Sequence, residues 1–276
     1  MELNNKTIVV TGGGNGIGEA MVRRFHREGA KALAVVDLDG HAAGRVAAEV
    51  GGLGVELDVS DGKGVAGLVE RVEREIGPID LFCSNAGVSR VSNLSTPIDD
   101  WQQLWDVNVM SQIHAARAVV PRMIERGGGY LLNTASAAGL LSQIGSLAYS
   151  VTKHASVALS EWLAITHHHQ GIRVSVLCPQ AVATNIVANS PTEARRSGPG
   201  VASGDGVLTK EDVAECVSRA LDEERFWVLP HSEVAEYARR KGTDIDRWLG
   251  GMRRFQDALY EGRSLPGDWL VKGRDA

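Results

Sequence analysis

The sequence has only three cysteines, which are Cys83, Cys178 and Cys216. Three is an odd number, and their spacing matches no cysteine-based metal site. Two of them lie inside apolar strand patterns. We therefore expect buried free thiols in a reducing compartment, with neither a disulfide framework nor a bound metal.

An excess of one charge is also missing. The 276 residues include 29 Lys and Arg against 34 Asp and Glu, a formal net charge of −5, and the two signs are mixed along the chain. This pattern lacks the basic patch of a nucleic-acid-binding protein. Apolar runs such as residues 8–10 are too short to span a bilayer, and the N-terminus lacks the regions of a signal peptide. We expect a cytoplasmic protein with neither a nucleic acid nor a membrane as partner.

No linker-like or repetitive segment divides the chain, and its 43% hydrophobic content predicts one domain. Short β-branched runs alternate with amphipathic helical stretches as far as about residue 230. That alternation predicts an α/β fold, a doubly wound Rossmann-type parallel sheet with helices on both faces. The predicted strands include residues 7–10, 32–36, 81–82, 130–133 and 172–177, and residues 231–276 form a helical C-terminal extension. Ligands of such sheets bind beyond the carboxyl ends of the strands.

A glycine-rich turn follows the first predicted strand, with the sequence Thr11-Gly12-Gly13-Gly14-Asn15-Gly16-Ile17-Gly18. Glycine allows a tight turn and lets backbone N–H groups approach a pyrophosphate, whose charge the helix N-terminus also favours. The candidate cofactor contacts are Gly12, Asn15, Gly16, Ile17 and Gly18. The alternative is a strand-to-helix turn without a ligand.

Asp37 ends the second predicted strand, about twenty residues after the glycine turn. A carboxylate at this place accepts hydrogen bonds from the adenosine ribose of NAD and repels the 2′-phosphate of NADP. Leu38 follows it and Asn15 occupies the turn, so neither position supplies the cation that NADP requires. We therefore predict NAD, with Asp37 and Leu38 beside its ribose. Asp37 could also cap the helix predicted over residues 40–50.

A second motif, Tyr149-Ser150-Val151-Thr152-Lys153, lies on a predicted helix. Residues four apart share one helical face, so the phenol and the ammonium can act on one site. Together with the glycine turn, this motif resembles the short-chain dehydrogenase/reductase family over about residues 5–230. The resemblance implies hydride transfer with Tyr149 as general acid/base and Lys153 bound to the nicotinamide ribose. A free phenol titrates at about 10, so the Lys153 ammonium and the oxidised nicotinamide would have to favour the phenolate.

Ser136 ends the fifth predicted strand, thirteen residues before Tyr149. It is similar to the family's catalytic serine, whose hydroxyl would hold the substrate oxygen and stabilise charge developing there. Two alternatives remain open: Ser136 caps the following turn, or Ser142 or Ser146 takes the catalytic role. The position at a strand end favours Ser136.

Two further segments match the family in order. Asn85-Ala86-Gly87 follows the fourth strand and would brace the floor of the cofactor pocket, with Gly87 allowing close backbone approach. Asn108 lies in a helix predicted over residues 99–126, where a buried amide must be hydrogen-bonded. The resemblance implies that Asn108 anchors a water linked to the catalytic lysine. The alternative is an ordinary amide bonded to a helix carbonyl.

The resemblance adds contacts at two other strand ends. Asp58 and Val59 would contact the adenine, although Asp58 serves almost as well as a helix N-cap. Beyond the sixth strand, Val182 and Thr184 would meet the nicotinamide carboxamide. Gln180 stands where the family usually has glycine, and a side chain at this position could alter the pocket wall or the approach of the loop.

The remaining segments concern the surface and the assembly. Residues 185–207 are rich in Ser, Gly, Pro and charge, and predict a lid over the substrate or a disordered insertion. Residues 231–263 carry two amphipathic helical patterns, whose apolar stripe would pack on the domain or a neighbouring subunit. The consecutive His167, His168 and His169 point in different directions and indicate a solvated helix end rather than a metal site. Helices over 99–126 and 147–169 resemble those that pair subunits in the family, which implies a homotetramer or homodimer.

We interpret residues 1–230 as a dinucleotide-binding and catalytic domain, with the extension as part of it. The predicted activity is hydride transfer between NAD and a secondary alcohol or ketone. Two rival interpretations are a non-catalytic, nucleotide-binding regulatory protein and an NAD-retaining dehydratase or epimerase. The second would ordinarily need a larger substrate domain than this chain offers.

Overall fold

A parallel sheet forms the centre of the structure, a computed structural model that describes residues 1–184 and 205–260. Its seven strands lie in the order β3-β2-β1-β4-β5-β6-β7, and every neighbouring pair is parallel. The strands are β1 (Thr7–Thr11), β2 (Ala32–Asp37), β3 (Leu53–Glu56), β4 (Leu81–Ser84), β5 (Gly129–Thr134), β6 (Ile172–Leu177) and β7 (Trp227–Val228). The predicted doubly wound α/β fold is confirmed.

Helices cover both faces of the sheet. They are α1 (Gly16–Arg27), α2 (Gly40–Val50), α3 (Gly62–Glu75), α4 (Ile98–Trp105), α5 (Ser111–Glu125), α6 (Ala138–Leu141), α7 (Leu147–His167), α8 (Lys210–Asp222), α9 (Glu233–Thr243) and α10 (Ile245–Leu259). Within the described ranges, none of these helices is long and apolar enough to cross a membrane.

The core has two apolar layers because successive strand residues face opposite sides of the sheet. In β1, Ile8 and Val10 pack in one layer with Phe25 of α1, whereas Val9 packs in the other with Val69 of α3. All five side chains are fully buried. Burial on both sides explains why β1 is a continuous apolar run rather than an alternating one.

The helix predicted over residues 99–126 is interrupted. A π-helical turn over Asp106–Met110 separates α4 from α5 and contains Asn108. Such a turn inserts an extra residue into the helical repeat, and it often occurs at functional sites. The helix predicted over 147–169 is α7, followed by a 3₁₀ turn over His168–Gln170.

The C-terminal extension contains the two predicted helices, α9 and α10. Asp244 separates them and caps α10 by accepting a hydrogen bond from the Arg247 N–H (3.0 Å). No residue of α10 is buried, and its Leu249 and Phe255 are 43% and 42% exposed. The predicted apolar stripe therefore does not pack on the sheet in the described structure. A neighbouring subunit as its partner stays a prediction.

The lid predicted over residues 185–207 lies outside the described residues except for 205–207. Beyond it, Leu208 pairs with Val182 in an isolated bridge. The chain therefore returns to the carboxyl end of β6 before α8 begins.

Candidate active site

The glycine turn lies between β1 and α1 at the carboxyl edge of the sheet. Gly12 has a φ of +64°, and a Cβ there would lie 3.0 Å from the Cα of Ala86. A Cβ on Gly18 would lie 2.1 Å from the Gly12 carbonyl oxygen, so a larger residue cannot fit while α1 stays this close to β1. The N-cap of α1, Asn15, makes no side-chain capping bond. The turn therefore presents a helix N-terminus of the kind that binds phosphate.

The carboxylate of Asp37 faces this turn from the end of β2. Its Oδ2 accepts a hydrogen bond from the Gly14 N–H (2.9 Å), and its Oδ1 accepts one from the Asp39 N–H (3.1 Å). The N-cap of α2 is Asp39, which accepts a hydrogen bond from the Ala42 N–H (3.0 Å). The alternative prediction, that Asp37 caps this helix, is therefore wrong. Leu38 is 69% exposed beside it.

Asp58 lies in the loop between β3 and α3. Its Oδ1 accepts hydrogen bonds from the N–H (2.9 Å) and the hydroxyl (2.7 Å) of Ser60. The N-cap of α3 is Asp61, which accepts a hydrogen bond from the Lys63 N–H (3.0 Å). The alternative prediction of Asp58 as this N-cap is therefore wrong. Val59 is buried and Asp58 is exposed at the sheet edge.

The segment Asn85-Ala86-Gly87 is tied to the glycine turn by Thr11. The Thr11 hydroxyl accepts hydrogen bonds from the N–H groups of Asn85 (3.0 Å) and Ala86 (3.1 Å). Nδ2 of Asn85 donates to the Thr11 carbonyl (3.0 Å), and the Thr134 hydroxyl donates to Oδ1 of Asn85 (3.2 Å). These bonds join the ends of β1, β4 and β5. Neither threonine is among the predicted site residues; the signal for both is a hydroxyl on the last residue of a buried strand.

Asn108 is fully buried and holds the loop after β4 against α7. Its Oδ1 accepts a hydrogen bond from the Val88 N–H (2.9 Å), while Nδ2 donates to the Val88 carbonyl (2.9 Å) and to the Thr152 hydroxyl (3.1 Å). The side-chain amide therefore bonds the loop carbonyl of Val88 and not a helix carbonyl. The alternative prediction of an amide bonded to a helix carbonyl is wrong. A Cβ on Gly87 would lie 3.2 Å from Oδ1 of Asn108 and 3.4 Å from Nζ of Lys153, so glycine lets both groups approach.

Ser136, Tyr149 and Lys153 come together at the same edge. Nζ of Lys153 lies 5.5 Å from the centroid of the Tyr149 ring and donates to the Thr134 carbonyl (3.0 Å). The Ser136 hydroxyl lies near enough to the Tyr149 phenol to oppose the rise of its pKa, and it donates to the Pro179 carbonyl (3.3 Å). The geometry offers a phenol, a hydroxyl and an amine for proton transfer at one substrate atom.

The competing roles of the serines can be compared directly. The Ser136 hydroxyl accepts a hydrogen bond from the Ala138 N–H (3.1 Å), so this residue also stabilises the following turn. Ser142 lines a groove of about 530 Å³ beside α7, and neither Ser136 nor Tyr149 is part of that lining. Ser146 is the N-cap of α7. Of the three serines, Ser136 is thus the one that lies beside the Tyr149 phenol, where both hydroxyls could bind one substrate oxygen.

Burial governs the titration of the Tyr149–Lys153 pair. It raises the pKa of Tyr149, an effect that the Ser136 hydroxyl partly opposes. Burial also lowers the pKa of Lys153 to about 8. Both groups are shifted toward their neutral forms. The expectation that the Lys153 ammonium and the oxidised nicotinamide together favour the phenolate stays a prediction.

The loop after β6 contacts Ser136 at its start, through the Pro179 carbonyl, and approaches the glycine turn at its end. Val182 pairs with Leu208, and a Cβ on Gly16 would lie 3.4 Å from Cγ2 of Thr184. Nε2 of Gln180 donates to Oδ2 of Asp205 (3.0 Å). The loop thereby reaches from the carboxyl end of β6 to the start of α1.

The residues present fit a bound dinucleotide. The turn is a cradle that a Cβ on Gly12 or Gly18 would fill, and the Asp37 carboxylate is fixed by backbone N–H groups beside it. At the far end, the Ser136 hydroxyl donates to the Pro179 carbonyl at the start of the loop that bears Val182. Within the described ranges, no group of three metal-ligating side chains occurs.

The chain matches known proteins over most of its length. The family model described as short chain dehydrogenase matches residues 6–195. A 1-deoxy-11-beta-hydroxypentalenate dehydrogenase from Streptomyces exfoliatus is 35% identical over 256 residues, which cover 90% of this chain and 90% of that protein. A meso-2,3-butanediol dehydrogenase from Serratia marcescens is 33% identical over 231 residues, covering 82% of this chain and 91% of that protein.

A solved structure of the same family also matches this chain. The short chain dehydrogenase/reductase from Burkholderia phymatum, determined in complex with NAD, matches with a TM-score of 0.81 at 31% identity. The match covers 89% of this chain and 96% of that chain. Both the sheet and the edge that carries the candidate site lie within a shared fold.

Proposed function

The chain belongs to the short-chain dehydrogenase family, and we propose that it transfers a hydride between NAD(H) and a secondary alcohol or the corresponding ketone. The convergence of Ser136, Tyr149 and Lys153 at the sheet edge that also carries the glycine turn is the observation that supports this proposal. Two of its relatives are dehydrogenases named for a hydroxypentalenate and a butanediol, both hydroxylated compounds.

NAD is the cofactor that the adenosine end of the site favours. The Asp37 carboxylate would accept hydrogen bonds from the ribose and repel a 2′-phosphate, and the related Burkholderia phymatum protein was solved with NAD. The residues that would hold the cofactor are Gly12, Asn15, Gly16, Ile17, Gly18, Asp37, Leu38, Asp58, Val59, Asn85, Ala86, Gly87, Tyr149, Lys153, Val182 and Thr184.

Proton transfer is the part of the reaction that the chain's own side chains perform. NAD, when bound, supplies a hydride acceptor and a positive charge near the phenol. In oxidation, Ser136 holds the substrate oxygen and Tyr149 removes its hydroxyl proton. Since burial raises the pKa of Tyr149, a nearby positive charge is what favours the phenolate, and Lys153 adds to it when protonated. In reduction, the same phenol donates the proton.

Asn108 supports the proton's route to solvent in this proposal. Its backbone carbonyl accepts a hydrogen bond from the Ser156 hydroxyl (3.0 Å). A carbonyl oxygen has two acceptor sites, so it can also hold a water linked to Lys153, as the family resemblance implies. Ser136, Tyr149, Lys153 and Asn108 together form the proposed catalytic set.

Oxidation of a panel of secondary alcohols by the purified chain with NAD tests the proposal. The panel includes a vicinal diol and a cyclic hydroxy acid, and both NADH absorbance and the ketone product are measured. We expect NADH and ketone in equal amounts. Conversion of a substrate without net NADH would indicate a dehydratase or epimerase. NAD binding without conversion of any panel member would favour a regulatory protein.

Self-association through α7 is a further part of the proposal. On its outer face, Val151, Trp162 and Ile165 are 41%, 57% and 79% exposed. They recur at helical spacing, so pairing with a second copy would remove one continuous apolar stripe from water. We propose a homodimer or homotetramer on this basis.

We also propose a cytoplasmic location. Cys83, Cys178 and Cys216 are all free thiols, and Cys83 and Cys178 are buried. Free thiols persist in a reducing compartment. Export of the active protein to an oxidising compartment would contradict this location.

A further inference from the structure

Four polar side chains, which we call the polar latch, join the C-terminal extension to the loop after β6. They are Gln180, Asp205, His231 and Tyr237. Nε2 of Gln180 donates to Oδ2 of Asp205 (3.0 Å), and the Tyr237 hydroxyl donates to Oδ1 of the same carboxylate (3.0 Å). The Gln180 N–H donates to Nδ1 of His231 (3.3 Å). One carboxylate thus bridges the loop and helix α9.

The polar latch binds the loop after β6 next to the residue that contacts the proposed catalytic Ser136. Gln180 directly follows Pro179, whose carbonyl accepts hydrogen bonds from the Ser136 hydroxyl (3.3 Å) and the Ala137 N–H (2.9 Å). Two residues further on, Val182 pairs with Leu208. The same short loop therefore carries the anchor of Ser136 and the residues proposed to meet the nicotinamide.

The protonation states of the polar latch are mutually consistent. His231 is only 3% exposed, and burial lowers its pKa. A neutral imidazole can accept the Gln180 N–H through Nδ1. Burial and the Asp205 carboxylate raise the pKa of Tyr237, so its hydroxyl keeps the proton that it donates. Each contact has one donor and one acceptor.

We propose that the polar latch positions the loop over residues 179–184 for the nicotinamide half of the cofactor, which makes Gln180 and Tyr237 positioning residues for hydride transfer. This inference rests on the proposed function. The groups that would bind the adenosine ribose, Asp37 and Leu38, lie at the carboxyl end of β2, and strands β1, β4 and β5 separate them from β6. Loss of the polar latch should therefore weaken the binding of the nicotinamide half alone.

Calorimetric titration with two ligands separates the two halves. NADH carries the nicotinamide, whereas ADP-ribose lacks it. The variants are Tyr237→Phe, Gln180→Ala and the double variant. The control is Thr243→Val, which removes a hydroxyl from the same helix that donates only to the Arg239 carbonyl within the described structure (2.8 Å). Thermal unfolding of each variant confirms that it is folded.

Each single variant should bind NADH about five- to tenfold more weakly, the loss expected for one solvent-exposed hydrogen bond of ordinary strength. ADP-ribose affinity should stay within about twofold. The double variant should bind NADH with the same affinity as the more weakly binding single variant, because both lost hydrogen bonds end on the Asp205 carboxylate. The Thr243→Val control should bind both ligands like the parent chain.

Unchanged NADH affinity in Tyr237→Phe would overturn the inference, and so would an equal loss of ADP-ribose affinity. The parent chain separates this result from the fate of the proposed function. If the parent chain binds NADH but oxidises no alcohol, the proposed hydride transfer is refuted. The role of the polar latch in NADH binding is then still decided by the titrations. If the parent chain binds no NADH, the proposed function fails and this inference fails with it.

Discussion

Asp37 provides a test of cofactor choice in which the size of the effect follows from the structure. Its carboxylate is fixed by hydrogen bonds from the Gly14 and Asp39 N–H groups (2.9 and 3.1 Å). A carboxylate has about four acceptor positions, so positions remain for the ribose hydroxyls of NAD. Replacement by serine removes the charge and keeps a small polar side chain.

Two energies set the expected change. Hydrogen bonds from the ribose to a charged group contribute about 1.5–3 kcal/mol, so Asp37→Ser should weaken NAD by roughly ten- to a hundredfold. The repulsion between Asp37 and a 2′-phosphate about 4 Å away amounts to ~4 kcal/mol per unit charge at an effective dielectric constant of 20. Removal of both effects, about 5.5–7 kcal/mol together, should shift the NAD-to-NADP preference by roughly 10⁴- to 10⁵-fold.

The assay compares kcat/KM for the two cofactors with one alcohol, together with NADH and NADPH binding. Asp39→Ser is the matched control: it removes the same charge two residues away, and serine still caps α2. Its cofactor preference should equal that of the parent chain. The reasoning is refuted if Asp37→Ser keeps the parent preference, or if Asp39→Ser changes it as much.

Three other changes test the site and the assembly. Asn108→Ala leaves the Val88 backbone groups without their amide partner and should lower the free energy of unfolding by about 3 kcal/mol, measured in urea; a loss within error of zero would contradict it. Burial lowers the pKa of Lys153 to about 8, below its unfolded value, so the unfolded chain binds the extra proton between pH 8 and about 10.5. Over that interval the parent should gain roughly 3 kcal/mol of stability relative to Lys153→Met as pH rises, and parallel curves would refute the shift. Trp162→Glu should dissociate the assembly in analytical ultracentrifugation while NADH binding persists; an unchanged mass would exclude α7 as the interface.

The sequence predicts the fold and the main site residues because both rest on local patterns. Alternation of apolar runs and amphipathic stretches gives the parallel sheet. The rule that ligands meet the carboxyl ends of strands selects Asp37 and Ser136 from among many similar residues. The spacing of four places Tyr149 and Lys153 on one helical face. Each prediction needs only neighbours along the chain.

Features that depend on distant pairs were beyond the same patterns. The polar latch joins Asp205 to residues 25 and 32 positions away, and no periodicity connects them. The π-helical turn places the Asn108 side chain in hydrogen bonds with the Val88 backbone and with Thr152 of α7. The helical repeat of the sequence does not reveal either contact. The caps at Asp39 and Asp61 fall two or three residues after the predicted ones, because the chain needs these residues to leave each strand before a helix can begin.

Hydride transfer in a single turnover of Tyr149→Phe tests the central claim most directly. The variant keeps the ring and loses only the hydroxyl, so the dissociation constant for NADH should stay within about twofold of the parent value. The rate of ketone reduction at saturating NADH should fall at least ~100-fold, the usual contribution of a positioned general acid. Tight NADH binding with an undiminished rate would show that another group supplies the proton, and the account would be wrong at its centre.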